Sequence, residues 1–279
     1  MTERNPLGTV AVLRRYPVKS MLGENVDACG VTGRGLDGDR LLGVVHRETG
    51  RIASAKNPRL WRGMVRLAAV SGPEVKIAFP DGTVLSSGDP GIHAALSEFL
   101  GQPVTLTATP PVDATLDRAD PEQVLRDGIE AEVRVEALHV AGASPQGTFF
   151  DFAPLHLLTT ATIDRIAELS PRGRVELERY RPNVVIRADV LGFAENEWTG
   201  RDLRIGSDLM IRIIARTPRC AIPTLAHGDL PRDVDALRVP AAHNRVRPFD
   251  DWDPQPCVGV YAQVLRPGRV ETGDEVRPA

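Results

Sequence analysis

Gly33-Arg34-Gly35-Leu36-Asp37-Gly38 is followed, after two intervening residues, by Leu41-Leu42-Gly43-Val44-Val45, and this junction decides the fold class. The glycine spacing matches the G-x-G-x-x-G loop of dinucleotide-binding domains. Such a loop must open a helix, whose N-terminal amide groups hold the pyrophosphate. The residues that follow here have a strand pattern instead. The glycines therefore predict a tight turn, and we reject the dinucleotide-binding interpretation.

The β pattern continues on both sides of this junction. The predicted strands cover residues 9–16, 41–46, 51–55, 64–70, 75–79, 183–187, 209–215 and 258–265. Helices are predicted from Asp89 to near Gly101, over residues 161–169 with Thr159 or Thr160 as N-cap, and over residues 234–238. Short strands, many turns and few helices favour barrels, so the fold class is mainly β with some helix (α+β).

The chain divides into three predicted parts. Residues 1–105 form a β-rich first unit, and residues 129–279 resume the β pattern as a second unit. Residues 106–128 lie within a stretch rich in prolines and polar residues without clear periodicity, which is typical of a connector. We expect a ligand pocket between the two units, since such clefts are favoured binding sites.

Composition excludes several classes of function. A net charge of −3 over 279 residues offers no basic field for nucleic acid. The stretch from Met1 to Pro6 lacks the apolar run of a secretory signal, and no apolar run reaches membrane-spanning length. We therefore expect a cytoplasmic protein without nucleic-acid or membrane partners.

The cysteines leave room for one functional thiolate. Cys29, Cys220 and Cys257 are too few and too scattered for a disulfide framework or an iron–sulfur cluster. Any redox chemistry must therefore receive its electrons from another protein.

Three short motifs combine residues that could bind an anion or a soft metal. They are Tyr16-Pro17-Val18-Lys19-Ser20, Arg179-Tyr180-Arg181-Pro182-Asn183 and Thr217-Pro218-Arg219-Cys220. Lysine, hydroxyl and arginine groups suit a phosphate. A thiol beside an arginine favours thiolate, a ligand for soft metals. Taken singly, each motif is better explained by an ordinary loop or core residue.

Two other groups of residues, a possible zinc set and an acidic run, are better explained by ordinary structural roles. Cys220, His227 and His243 lack the close spacing of a zinc site. Asp250, Asp251 and Asp253 surround Trp252 in a run that is typical of a solvated loop, although a carboxylate pair for acid–base work stays open.

Taken together and in order, the motifs resemble the MOSC family, named for the C-terminal domain of molybdenum cofactor sulfurase. The first half resembles the MOSC N-terminal β-barrel through the Tyr16–Ser20 motif and Gly35-Leu36-Asp37-Gly38-Asp39-Arg40. The second half resembles the MOSC β-barrel domain. Its motifs are His156-Leu157-Leu158-Thr159-Thr160-Ala161, Arg181-Pro182-Asn183, Phe193-Ala194-Glu195-Asn196-Glu197-Trp198, Arg219-Cys220, Gly259-Val260-Tyr261 and Gly273-Asp274.

The resemblance implies that the chain binds the molybdenum cofactor, a metal-bearing molybdopterin. Members with both halves include the mitochondrial amidoxime-reducing component and bacterial reductases of N-hydroxylated compounds. Cys220 matches the metal ligand and the catalytic centre. The matching cofactor-binding residues are Lys19, Ser20, Arg40, Thr159, Arg181, Asn183, Arg219 and Tyr261.

Two departures from the family pattern bear on the substrate. Many relatives carry a second cysteine three residues before the ligand, where this chain has Thr217. Relatives also follow the ligand with Thr-Thr-Val-Asp, where this chain reads Pro223-Thr224-Leu225-Ala226. The anion-binding residues and the thiolate are retained, so we expect the cofactor to bind, whereas the changed stretch directly after the ligand leaves the substrate chemistry open.

The implied function is a molybdenum-dependent oxidoreductase. It would reduce the N–O bonds of small N-hydroxylated molecules with electrons from a separate flavin or iron–sulfur protein. Two alternatives stay open: an enzyme or carrier that handles sulfur, with Cys220 as the nucleophile that forms a persulfide, and a noncatalytic cofactor carrier.

Overall fold

The computed structural model describes residues 6–279, and the Met1–Pro6 stretch lies, apart from Pro6, outside the described residues. The strands are β1 (Gly8–Arg15), β2 (Glu24–Val26), β3 (Ala28–Thr32), β4 (Gly35–Leu36), β5 (Gly43–His46), β6 (Ala68–Val70), β7 (Lys76–Ala78), β8 (Val84–Ser86), β9 (Val104–Thr107), β10 (Thr115–Ala119), β11 (Val135–His139), β12 (Leu155–Thr159), β13 (Val184–Arg187), β14 (Asp202–Ile205), β15 (Leu209–Pro218), β16 (Arg245–Val246), β17 (Gln255–Arg266), β18 (Gly268–Glu271) and β19 (Glu275–Pro278).

The helices are short and lie between the strands. The α-helices are α1 (Pro58–Trp61), α2 (Ile92–Leu100), α3 (Pro121–Asp127), α4 (Thr160–Leu169) and α5 (Asp235–His243). The 3₁₀ helices are Arg62–Arg66, Leu177–Tyr180, Ala194–Trp198 and Ile222–Thr224. No helix within residues 6–279 is both long and apolar enough to cross a membrane.

Seven strands close into a barrel. Their order is β12-β13-β1-β19-β14-β15-β17, and β17 pairs with β12 to complete the ring. All neighbours are antiparallel except β12 and β13. The predicted class, mainly β with few helices and a barrel, is confirmed.

The barrel interior is built by side chains that alternate along each strand. In β15, Leu209, Ile211, Ile213 and Ala215 are buried while the residues between them are more exposed. Alternate residues of a strand point to opposite faces, so this period of two places one apolar row in the core. β1 adds Val10 and Leu13 to the same core.

A second core lies outside the barrel and joins the two predicted units. Its residues come mainly from positions 18–106, but Cys220, Ile222 and Leu225 also belong to it. Conversely, β1 and the turn from β3 to β4 pack with the barrel core. The chain therefore interlocks around the predicted boundary at residue 105 instead of folding as two separate units.

Two local predictions were wrong. Residues 51–55 do not form a continuous strand, because only Ile52 makes an isolated antiparallel bridge, with Val45 of β5, whereas the regular ladder of β5 is with β9. The predicted connector 106–128 contains β10 and α3, and β10 pairs with β11. Asp120 caps α3 by accepting hydrogen bonds from the amides of residues 122 and 123.

The glycine motif behaves as predicted. Gly33 and Arg34 lie in the tight turn between β3 and β4, where Thr32 pairs with Gly35. Gly35 and Gly38 adopt φ angles of 85° and 87°, which side chains resist. The predicted helix after Asp89 is α2, which ends at Gly101 in the left-handed conformation.

Candidate functional site

A cavity of about 260 Å³ brings together residues from both halves of the chain. Eight of the nine residues predicted to form the site line it, and these are Lys19, Ser20, Arg40, Arg181, Asn183, Arg219, Cys220 and Tyr261. Lys19 and Ser20 are both buried in its wall.

Thr159 is the exception and requires a correction. It is fully buried at the end of β12, away from the cavity lining. Its hydroxyl caps α4 by accepting from the Thr162 amide at 3.2 Å and donates to the Glu195 carboxylate at 2.9 Å. Thr159 therefore stabilises a helix start, as the predicted N-cap does, and the structure does not place it for cofactor binding.

The cavity lining is strongly basic. Six basic side chains line it against one carboxylate, that of Asp151; the basic residues are Lys19, Arg40, Lys56, Arg118, Arg181 and Arg219. The whole chain carries a net charge of −3, so this concentration is local. A concave, partly desolvated site of one sign attracts ligands of the opposite sign.

Lys19, Lys56 and Asp151 form an ionic cluster in the wall. Lys19 Nζ lies 2.5 Å from Asp151 Oδ1 and donates to the Phe149 carbonyl at 2.7 Å, and Lys56 Nζ lies 3.2 Å from Asp151 Oδ2. Burial lowers the pKa of Lys19 to about 8, although Asp151 opposes the shift. Burial alone would raise the pKa of Asp151, but Lys19 and Lys56 outweigh it and hold that pKa well below its usual range.

Arg181 is held rigidly with one nitrogen free. Its Nη1 donates to the Met21 carbonyl at 2.6 Å, and its guanidinium lies 4.2 Å from the centroid of the Tyr16 ring. Its Nη2 is buried without a hydrogen-bond partner among the described residues. Burial lowers the pKa of Arg181 to about 10, so the group stays charged at neutral pH.

Three lining residues have strained backbones. Ser20, Arg40 and Arg181 adopt φ angles of 65°, 49° and 57°, in the left-handed region that residues with side chains rarely enter. Such strain costs roughly 1–3 kcal/mol at each position and concentrates at binding sites. Its presence at three lining residues indicates that this cavity was shaped for a ligand.

A network of polar side chains in and behind the cavity wall holds Arg40 in place. Asn183 Nδ2 donates to Asp39 Oδ2 at 3.0 Å, and Asn183 Oδ1 accepts from the His156 amide at 3.2 Å. Asp39 also forms an ion pair with Arg40 and accepts from the Tyr16 amide at 2.6 Å. Burial, reinforced by Arg219, lowers the pKa of His156 to about 3, so its ring is neutral.

Cys220 is the one cysteine on the cavity wall within residues 6–279. It follows β15 directly and is 7% exposed. Cys29 and Cys257 are buried elsewhere. Burial raises the pKa of both thiols, that of Cys257 to about 12. His227 and His243, weighed with Cys220 as a zinc set, lie away from the cavity lining.

Beside Cys220, two more polar groups have unused hydrogen-bonding capacity. Arg219 Nη2 donates to the Tyr180 carbonyl at 2.9 Å, while Arg219 Nε and Thr217 Oγ1 are buried without partners in the described part of the chain. Buried polar atoms are normally satisfied. Unpartnered atoms on three lining residues, counting Arg181, therefore point to a polar ligand.

The remaining wall is aromatic. Phe152 lies 5.5 Å from Tyr261 and 4.9 Å from Phe249, and Phe249 lies 5.2 Å from Trp252, all between ring centroids. Trp252 is 37% exposed and brings this row to the surface. The neighbouring aspartates, Asp250, Asp251 and Asp253, are exposed, as expected for a solvated loop.

Sequence reasoning missed several residues of this site, namely Tyr16, Asp39, Lys56, Asp151 and His156. Tyr16, Asp39 and His156 stood inside quoted motifs without an assigned role. Lys56 had a signal, because the chain has only three lysines and two of them line the cavity. Asp151 had none, since nothing in a loop sequence shows which cations it will meet.

The chemistry of the lining fits an anionic group that carries a soft metal. The basic side chains and unpartnered donors suit phosphate and other oxyanions. The thiol of Cys220 suits a soft metal centre. Within residues 6–279 no cluster of three His, Cys, Asp or Glu side chains has the arrangement of a metal site.

Comparisons with known proteins were made on sequence and on structure. The family model of the MOSC domain matches residues 145–277, and that of the MOSC N-terminal beta barrel domain matches residues 7–99. Mitochondrial amidoxime-reducing component 1 of Mus musculus is 23% identical over 304 residues, covering 97% of this chain and 82% of that protein.

Two solved structures are similar at low identity. The YUAD protein from Bacillus subtilis is 12% identical, with a TM-score of 0.43 over 96% of this chain and 93% of that one. YiiM from Geobacillus stearothermophilus is 15% identical, with a TM-score of 0.32 over 46% of this chain and 54% of that one.

Proposed function

Because the chain belongs to the MOSC-domain family, with the N-terminal beta barrel domain preceding the MOSC domain, we propose that its cavity binds the molybdenum cofactor. One observation carries the proposal: a single thiol, Cys220, shares a 260 Å³ cavity with six basic side chains. The cofactor has the matching parts, a molybdenum centre and an anionic pterin phosphate.

Each residue of the proposed site has a distinct task. Cys220 supplies the thiolate that holds the metal. Lys19, Arg40 and Arg181 bind the anionic part of the cofactor, and the free Nη2 of Arg181 gives a directed donor. Asn183 acts through Asp39, which orients Arg40. Arg219 lies next to Cys220 in the sequence, and its buried Nε, which has no partner among the described residues, gives a second donor for the anionic part of the cofactor.

We propose an oxidoreductase that removes oxygen from N–O bonds of small N-hydroxylated molecules. Its mouse relative is named as an amidoxime-reducing component, which supports this reaction class. The reaction breaks one N–O bond, consumes two electrons and two protons, and releases water. The cofactor supplies the two-electron chemistry, and the chain binds the substrate beside Cys220 along the aromatic wall.

The electrons come, in this proposal, from a separate flavin or iron–sulfur protein. The three cysteines of the chain are buried and distant in sequence, and no flavin motif was found. We further propose a cytoplasmic location, in keeping with three unpaired cysteines.

Sulfur transfer is the second candidate, favoured by the position of Arg219 beside Cys220. There the Cys220 thiolate would attack the outer sulfur of a donor persulfide, the S–S bond of the donor would break, the donor would leave as a thiolate, and Cys220 would carry the sulfur as a persulfide. This chemistry needs the thiol but no molybdenum. Metal content therefore separates the two candidates.

The test is molybdenum analysis followed by an activity assay. Protein purified from molybdate-supplemented cells should hold about one molybdenum per chain and reduce a hydroxylamine or amidoxime with reduced methyl viologen. If the protein holds the full amount of molybdenum but does not reduce these substrates, it is a cofactor carrier. If it holds no molybdenum and Cys220 carries a persulfide, its function is sulfur transfer and not reduction.

A further inference from the structure

A second pocket, outside the cavity, has an arginine-rich and apolar lining. It encloses about 540 Å³ and is lined by Arg59, Arg62, Arg66 and Arg232 around Leu60, Phe99 and Leu100. All four arginines are exposed, and Leu60 is 41% exposed. We call these seven residues the arginine surface. Arginines around an apolar centre are typical of protein interfaces.

The positive charge of this surface is only partly neutralised. Arg62 pairs with Glu130 at 3.0 Å and Arg59 with Glu132 at 3.5 Å, and both glutamates are highly exposed. Exposed pairs of this kind hold their partners weakly. Arg66 and Arg232 make no ion pair within residues 6–279, and Arg66 lies over the Phe99 ring at 5.9 Å. At least two full positive charges therefore face outward.

The arginine surface lies beside the chain segment that follows Cys220. Leu225 and Ala226 line the same pocket. Leu225 is five residues from Cys220, and an extended chain of that length spans at most roughly 17 Å. Cys220, Ile222 and Leu225 pack in one core, against which Phe99 and Leu100 also pack. One layer of core thus separates this surface from the proposed metal ligand.

The segment is also held firmly. Arg179 is fully buried and donates to the carbonyls of Pro223, Leu225 and Pro231 at 3.3, 3.0 and 2.8 Å. A partner bound at the arginine surface would therefore contact a rigid segment that leads back to Cys220.

We propose that the arginine surface docks an acidic electron-transfer protein, which delivers the electrons consumed in the cavity. This inference rests on the proposed reductase function. Charge complementarity carries it, because a positive patch steers a negative partner and favours fast, short-lived complexes. Such complexes suit a donor that must arrive, transfer an electron and leave.

The experiment compares two electron donors. One is an acidic plant-type [2Fe–2S] ferredoxin kept reduced by its reductase and NADPH, and the other is reduced methyl viologen, which needs no docking. The variant is Arg66→Glu/Arg232→Glu. The matched control is Arg187→Glu/Arg204→Glu, which makes the same charge change at exposed strand positions outside the arginine surface. Binding of ferredoxin to each protein is measured separately by calorimetry.

The expected result separates the donors. Ferredoxin-supported turnover and ferredoxin binding should fall about tenfold or more in the Arg66/Arg232 variant, since steering by charge acts on association. Viologen-supported turnover should stay at the wild-type value, and the control variant should behave as wild type with both donors. Raising the salt concentration from about 20 to 200 mM should weaken ferredoxin binding to the wild type and bring it closer to that of the Arg66/Arg232 variant.

Three outcomes would overturn the proposal. The first is viologen-supported turnover with no ferredoxin-supported turnover in the wild type. The second is equal ferredoxin-supported rates in wild type and variant. The third is binding of the arginine surface to vesicles with anionic phosphatidylglycerol in place of ferredoxin. If the wild type shows no viologen-supported turnover, the reductase function is contradicted instead. The ferredoxin-binding measurement then decides by itself whether the arginine surface docks an acidic protein.

Discussion

The guanidinium of Arg181 lies 4.2 Å from the centre of the Tyr16 ring, so a residue of the early chain positions an anion-binding group of the late chain. Tyr16 is itself fixed, because its hydroxyl donates to the Pro182 carbonyl at 3.1 Å and its amide donates to Asp39. The stacking on Tyr16 and the hydrogen bond to the Met21 carbonyl together hold the Arg181 guanidinium in one orientation at the cavity wall.

Arg181→Lys should lose most of the cofactor, because lysine lacks the planar fork that stacks on Tyr16. Removing one charge-assisted contact costs about 1.5–3 kcal/mol, which is a loss of roughly 10- to 150-fold in affinity. Pterin content after gel filtration measures this loss. Arg187→Lys, at an exposed position five residues after Pro182, serves as the control. Equal pterin content in Arg181→Lys and wild type would remove Arg181 from the proposed site.

Cys220→Ser should remove one sulfur from the molybdenum environment while the protein stays folded. The hydroxyl is a harder donor and replaces the thiolate poorly. X-ray absorption at the molybdenum edge counts the sulfur neighbours. An unchanged sulfur count in a metal-loaded variant would mean that Cys220 is not a ligand.

The controls for that measurement are Cys29→Ser and Cys257→Ser. Both should keep the wild-type sulfur count, since neither residue lines the cavity. Cys257→Ser should melt at a lower temperature, because Cys257 is fully buried and an added hydroxyl there costs about 1–3 kcal/mol.

Anion binding should weaken as pH rises through about 8, where Lys19 loses its proton. The ammonium is charged below that pKa and attracts an anion, and the neutral amine does not. A bound anion shifts the midpoint upward, because it stabilises the charged form. Calorimetry with sulfate on cofactor-free protein between pH 6.5 and 9.5 follows this loss. Lys19→Arg should keep its affinity across the range, and an identical decline in both proteins would assign the titration to another group.

Arg179→Met should destabilise the protein by about 3–5 kcal/mol, because it leaves Glu176 and three carbonyls without their buried partner. Urea unfolding gives the free energy of unfolding. Arg174→Ala is the matched control: Arg174 lies 3.8 Å from the same Glu176 but is 71% exposed, so its loss should cost less than about 0.5 kcal/mol. Similar values for the two variants would show that Arg179 contributes no more than a surface pair.

The sequence predicted the parts of the site that lie in short motifs. Lys19 and Cys220 each follow a predicted strand and Arg181 precedes one, and the order of the three along the chain matches a known family. Thr159 shows the limit of that reasoning. The motif placed it correctly at a helix start, but only the fold shows that its hydroxyl is turned toward Glu195.

Pairing between distant strands could not be predicted. Nothing in residues 8–15 shows that β1 pairs with β13 on one side and β19 on the other. Alternation fixes which face of a strand is buried but leaves its neighbours open. For the same reason the sequence could not show that β5 pairs with β9, or that Asp151 pairs with Lys19 and Lys56.

The pairing of β1 with β19 has a consequence for how the protein is made. Gly8 lies opposite Val276, so β1, which leaves the ribosome before the other described strands, keeps its Gly8–Thr9 end unpaired on one edge until nearly the whole described chain has emerged. Contacts between such distant residues form slowly and leave strand edges open to aggregation meanwhile. The cavity lining runs from Lys19 to Tyr261, so the cavity is incomplete until Tyr261 has left the ribosome. Whatever fills it must therefore bind after that point, as the barrel closes.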